Sequence, residues 1–148
     1  MMESNAPPGG YNLQDIEKGG TKDTHTNYVT SKAANWILAV EAGARWGGDG
    51  ILSVCQNPGN LKTNIYHTQP KLMMFFVNAL LHPPKKGACT ELFAGLSGDI
   101  TEKEQGCYII PWGRIQSPNP RKDIYAAMEK DKGKELWDWC DAQIKIHE

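Results

Sequence analysis

Tyr28 and Lys32 stand four residues apart, and Asn57-Pro58-Gly59-Asn60-Leu61-Lys62-Thr63 follows further along the chain. Residues at i and i+4 share a helix face, so a helix here sets an ammonium beside a phenol. At about 4 Å and an effective dielectric of ~20, such a pair interacts by roughly 4 kcal/mol. That is enough to help a phenol give up its proton closer to neutrality. A phenol so placed can give a proton to a carbonyl oxygen or take one from an alcohol. A bare Tyr-x-x-x-Lys spacing arises by chance roughly 0.4 times in a chain of this composition. Context must therefore carry the assignment.

The surrounding pattern supplies that context. From Tyr28 to Arg45 the residues Ala33, Trp36, Ile37, Val40 and Ala44 recur at steps of three and four, predicting an amphipathic helix that Gly47-Gly48-Asp49-Gly50 ends. Ile51-Leu52-Ser53-Val54-Cys55 is a short apolar run of the kind found in strands buried on both faces of a parallel sheet. Asn57-Pro58-Gly59 then stands at the carboxyl end of that strand, where α/β sheets hold ligands. Proline fixes φ there, and glycine lets the backbone approach a ligand closely.

Residues 1–27 read as a loop, with Tyr11, Leu13 and Ile16 able to anchor a short packed turn. Further on, Ile65 to Leu81 reads as an apolar helical region broken at Pro70, Ala88 to Leu96 as a third helix, and Cys107 to Ile110 as a second strand. A final helix runs from Asp123 to Ile146. Two strands fall short of the ~5–6 of an ordinary sheet, and the apolar 51–55 strand expects a neighbour on each edge. The reading is one α/β domain over 1–148, truncated, with sheet strands missing from it.

The chain of 148 residues carries 16 basic and 17 acidic residues with no basic stripe, which argues against nucleic acid as a partner. Cys55, Cys89, Cys107 and Cys140 form no Cys-x-x-Cys pair and read as buried free thiols of a reducing compartment. His25, His67, His82 and His147 share no metal spacing, so no metal is expected. The longest apolar stretch, Leu72 to Leu81, is too short for the ~20 residues of a membrane span. With no apolar leader in the first twenty residues, the expected location is cytoplasmic. Trp137 and Trp139 read as core anchors, and Glu102-Lys103-Glu104 as a solvated charged loop.

Tyr28-x-x-x-Lys32 with Asn57-Pro58-Gly59-x-x-x-Thr63 resembles the carboxy-terminal half of the short-chain dehydrogenase/reductase superfamily, in particular its retinol-dehydrogenase-like branch of fungal type. Ala6-Pro-Pro-Gly-Gly10, Ser31-Lys-Ala-Ala-Asn35, Thr90-Glu-Leu-Phe-Ala-Gly-Leu-Ser97 and Ile110-Pro-Trp-Gly113 extend the resemblance from Ala6 to the end. It implies a Rossmann-type parallel sheet, of which 51–55 and 107–110 are the last two strands, with the amino-terminal half missing. It implies Tyr28 as the catalytic acid/base, and Lys32 as the group that assists it and holds the nicotinamide ribose. Pro58, Gly59, Leu61 and Thr63 would line the nicotinamide and pyrophosphate side of NADP. The helix 28–45 corresponds to one that packs between subunits, so a homodimer is expected.

Two departures accompany the resemblance. The family's glycine-rich phosphate loop has no counterpart, since Gly43 to Gly50 follows a helix and precedes a strand, the reverse of the required order. The family's catalytic serine falls at or before Met1, and Ser4 is the only hydroxyl nearby. The function implied is NADP-dependent interconversion of a small-molecule carbonyl and an alcohol, in fungal secondary metabolism, on a truncated chain. Two alternatives stand beside it: a non-redox relic that binds a partner, and cofactor-free proton transfer such as isomerisation or dehydration.

Overall fold

The computed structural model describes residues 5–66, 71–116 and 121–146; Ser4, His67, Pro70 and His147 lie outside them. Helix α1 is Leu13–Glu17 and α2 is Thr24–Trp46, followed by strand β1 at Cys55–Gln56. Helices α3 (Lys71–Val77) and α4 (Pro84–Leu96) precede β2 (Tyr108–Ile110) and β3 (Arg114–Ile115), and α5 (Lys122–Met128) and α6 (Lys132–Lys145) end the chain. The class is α/β, with a small mixed sheet.

Helix α2 is the centre of the fold. It begins four residues earlier than its apolar periodicity predicts because Asp23 caps it, accepting from the backbone N–H of His25 and Thr26. Tyr28 therefore sits in the second turn instead of opening the helix. Val29, Ala33, Trp36 and Ile37 bury the face spaced at four, three and one, and Ala6, Tyr11, Tyr108, Ile124 and Leu136 close over it. Trp36 is fully buried, meets Tyr125 edge-on at 5.0 Å and Tyr108 at 5.4 Å, and donates its indole N–H to the Gly106 carbonyl. A buried indole gains from such a partner, because an unbonded N–H there would cost its full desolvation.

β1 pairs in parallel with β2, in register Cys55 with Tyr108, and β2 pairs antiparallel with β3, giving the order β1-β2-β3. The ladder extends beyond the strands: the Gly106 N–H reaches the Ser53 carbonyl and the Asn57 N–H reaches the Ile109 carbonyl. The strand expected at 51–55 is thus displaced to Cys55–Gln56, with Ile51 and Leu52 exposed instead of buried on two faces. Among the described residues the sheet has the order β1-β2-β3 with β1 at its edge, and Ile51 and Leu52 precede the paired residues. β3 was not foreseen, since Arg114–Ile115 is too short to show an alternating pattern.

Other expectations are corrected in the same way. The 1–27 loop contains α1, capped by Asn12, as well as the start of α2. α4 begins at Pro84 rather than Ala88, because proline is preorganised for the first helical position. The region 65–81 divides into α3 flanked by 3-10 turns at Asn64–Tyr66 and Asn78–Leu80. The single final helix is two, broken where Asp131 takes a left-handed φ of 59°. Glu102 and Lys103 are exposed, as a solvated charged segment should be, but Glu102–Glu104 forms a 3-10 turn held by a Thr101/Glu104 capping box. None of the four free cysteines is fully buried, and Cys89 is exposed. Trp137 is only half-buried; it packs on Trp46 with the Arg45 guanidinium over its ring, joining α6 to α2. Among the described residues no helix is long and apolar enough to cross a membrane.

Two devices fix the frame. Gln105 fills the space left by Gly43: its amide accepts from the Ser53 N–H at 2.6 Å and donates to the carbonyls of Ile51 and Gly43. The other ties residues 6–11 to the last two helices. Arg121 donates to the Ala6 and Pro7 carbonyls, Asp123 accepts from the Gly9 N–H, and Lys132 donates to the Tyr11 carbonyl. Tyr11 donates its hydroxyl to the Lys132 carbonyl and to Glu135, and burial, then the Glu135 carboxylate, push its phenol well above the ordinary range.

Candidate active site

Tyr28, Lys32 and Asn35 recur at four and three residues, so α2 presents them along one line next to its buried face. The Tyr28 side chain is 43 % exposed, and its ring lies 5.3 Å from the Lys32 ammonium, which sits over the ring face. Lys32 has no carboxylate partner among the described residues. The neighbouring Ser31 hydroxyl donates back to the Tyr28 carbonyl, which occupies it within the helix.

The opposite wall comes from the turn after β1. Asn57 accepts from the Gly59 N–H at 2.9 Å, closing a tight turn, and Gly59 adopts φ of +86°. A Cβ on Gly59 would lie 3.0 Å from Pro111 Cγ and 3.0 Å from Trp112 Cη2, so glycine is required by space as well as by backbone. Leu61 drops into a notch over Gly87, where a Cβ would lie 2.3 Å from Leu61 Cδ1. Two backbone bonds tie this segment to the start of α4: Lys62 N–H to the His82 carbonyl, and His82 N–H to the Asn60 carbonyl. The turn is thereby held from both sides.

Tyr28, Lys32, Pro58, Gly59, Leu61 and Thr63 all line one cavity of about 460 Å³. That volume is within the range of small-molecule sites, about 300–1,000 Å³. Asn35, Gln56, Tyr66 and Tyr108 also line it, and the sequence reading missed them. Asn35 was legible, since it continues the Tyr28–Lys32 line by one more helical step. Gln56, Tyr66 and Tyr108 arrive through strand pairing and a 3-10 turn that no local pattern announces. The Gln56 Oε1 is buried without a hydrogen-bond partner, and Gln56 also lines a separate cavity beside Trp46 and Leu52.

A second cavity, also of about 460 Å³, shares Asn57, Gly59 and Asn60 with the first. His82, Trp112 and Arg114 line its far side. An exposed phenol, an ammonium with no carboxylate partner among the described residues and a tight backbone turn thus meet around one small-molecule volume. That is what a polar ligand carrying a reactive oxygen would need.

No protein-family model matches this chain, and no solved structure matches it significantly. Curated proteins do. A short-chain dehydrogenase/reductase of Pestalotiopsis fici, iacJ, is 46 % identical over 148 residues, covering 99 % of this chain and 45 % of that protein. One from Neocamarosporium betae, bet4, is 40 % identical over 80 % of this chain and 35 % of its own length. A third, from Phomopsis amygdali, is 36 % identical over 93 % of this chain and 44 % of its own. The chain spans between about a third and a little under half of the length of these three relatives. With that likeness across its whole length and the α/β arrangement above, the chain belongs to the short-chain dehydrogenase/reductase family and fits its carboxy-terminal part.

Proposed function

We propose that these residues form the proton-transfer side of an NADP-dependent oxidoreductase that interconverts a carbonyl and an alcohol. The observation that carries this reading is the single cavity in which Tyr28 and Lys32 face the Pro58–Thr63 turn. Its walls fit a nicotinamide cofactor: Lys32 offers an ammonium with no carboxylate partner among the described residues, and the Asn57–Gly59 turn presents backbone to the same cavity. Lys32 would hold the ribose hydroxyls, and Pro58, Gly59, Leu61 and Thr63 would line the nicotinamide and pyrophosphate side. When bound, the cofactor supplies or accepts the hydride.

The chain's own part is the proton. Tyr28, exposed at the cavity wall, gives its hydroxyl proton to the substrate oxygen as a carbonyl becomes an alcohol, and takes it back in the reverse direction. The Lys32 ammonium lies over the ring, 5.3 Å from its centroid, as a cation–π contact that holds the phenol in place. The preference for NADP over NAD rests on the resemblance to the retinol-dehydrogenase-like branch, and a setting in secondary metabolism rests on the fungal relatives.

The test is a chimera that joins this chain to the preceding part of the Pestalotiopsis fici relative. The expected result is NADPH-dependent carbonyl reduction that Tyr28→Phe lowers by about 10²–10⁴-fold while leaving cofactor affinity nearly unchanged. Lys32→Ala should damage both turnover and affinity. Near-full activity of Tyr28→Phe would show that another group moves the proton.

A further inference from the structure

The second cavity is a site in its own right. Asn60, His82, Pro111, Trp112, Arg114 and Gln116 line it, and it opens beside the catalytic cavity along the shared Asn57, Gly59 and Asn60 wall. No aspartate or glutamate lines it. Trp112 is half-buried, with the His82 ring edge-on at 4.8 Å and the Lys86 ammonium 5.3 Å from its centroid. The exposed Arg114 donates through Nε and Nη2 to the Pro111 carbonyl. Those bonds fix the guanidinium in its own turn and leave the Nη1 donors unused. Arg114 has no carboxylate partner among the described residues.

We propose that this second cavity binds the aromatic, carboxylate-bearing end of the substrate, with Arg114 holding the carboxylate and Trp112 supporting the ring. A fixed guanidinium fork suits a planar carboxylate better than a point cation would. A half-exposed indole flanked by a second aromatic ring supplies a face for an aromatic body. Lys86 and His82 add positive or polar character, and no carboxylate in the lining opposes an anion. The shared wall places such a ligand with one end here and its remainder toward Tyr28. Calling it the substrate rests on the redox reading, but the binding itself does not.

The binding is tested without cofactor. The 148-residue chain, labelled with ¹⁵N, is titrated with 2-naphthoate and with its neutral isostere 2-naphthamide, following the tryptophan indole signals. The Trp112 signal, identified by its loss in Trp112→Phe, should move with both ligands. The acid should bind about fivefold more tightly, as an exposed ion pair allows. Arg114→Met should bring the acid to the level of the amide, and Arg114→Lys should keep part of the preference. Arg114 is exposed, so neither variant threatens the fold. Equal affinities for acid and amide, an Arg114→Met chain that keeps its preference, or shifts confined to other indoles would overturn the proposal. Inorganic phosphate displacing naphthoate at equal concentration would overturn its aromatic half. Any of these, with the chimera still reducing carbonyls, leaves the redox reading standing.

Discussion

Replacing Gly59 by alanine asks whether the turn between the two cavities is as tight as its geometry implies. Two costs apply. The backbone sits at φ +86°, where an L side chain costs roughly 1–2 kcal/mol. The new Cβ would also lie 3.0 Å from both Pro111 and Trp112, ring atoms with little freedom to retreat, and overpacking of that kind adds about 1–3 kcal/mol. Gly50 provides the control: its φ is +81°, and nothing lies within 4 Å of its Cβ position. Gly50→Ala should therefore show the backbone cost alone, and the difference between the variants isolates the contact. Urea unfolding followed by tryptophan fluorescence measures both. The expected difference is about 1–3 kcal/mol with an unchanged m-value, or roughly 3–10 °C in Tm for a chain of this size. Gly59→Ala no less stable than Gly50→Ala would mean that Trp112 does not press on the turn, and the shared wall would have to be redrawn.

Three other outcomes follow from the same geometry. NADPH titrated into the 148-residue chain should show no saturation in the micromolar range, because among the described residues no strand-to-helix glycine loop offers backbone donors to the pyrophosphate; tight stoichiometric binding by fluorescence would contradict this. The Arg121 guanidinium, then the Gly9 N–H, hold the Asp123 carboxyl well below the usual carboxylate range. A folded value below the unfolded one stabilises above about pH 4 and is lost as pH falls toward the folded value, so Asp123→Asn should flatten the acid limb of stability against pH. Gly43→Ala should destabilise the native chain by evicting Gln105, whose Cδ lies 2.7 Å from the new Cβ. In a Gln105→Ala background the same change should stabilise by about 0.5–1 kcal/mol through helix propensity, a reversal of sign that a double-mutant cycle reads directly.

What the sequence revealed and what it concealed divides along the range of the interactions. Tyr28 and Lys32 were legible because helix periodicity alone puts them on one face, and Asn57-Pro58-Gly59 because turn chemistry is local. Their meeting in one cavity could only be expected through family resemblance, since β1 reaches β2 across more than fifty residues. The start of α2 was placed at Tyr28 because the apolar pattern shows nothing earlier, whereas the cap is a polar Asp23. The break at Asp131 was hidden because the charged residues around it fit a helix surface equally well. The apolar run 51–55 was read as doubly buried, but burial is decided by neighbours, and Ile51 and Leu52 have too few.

The bonds joining residues 6–11 to Arg121, Asp123, Lys132 and Glu135 bridge separations of 114 to 124 residues. A chain leaves the ribosome at about 5–20 residues per second, so residues 6–11 cannot make these particular bonds until Arg121 to Glu135 have been made. Gly10 packs directly on Ile37, a fully buried residue of α2. Until α5 and α6 emerge, the apolar face of α2 lacks Ile124 and Leu136, and its closure comes last, at high contact order. The nascent chain is therefore most exposed to association with other chains while α2 is already long enough to be helical. Chaperone capture or aggregation during synthesis should act on that helix first, and variants at Arg121 should lower the yield of soluble protein more than their effect on equilibrium stability implies.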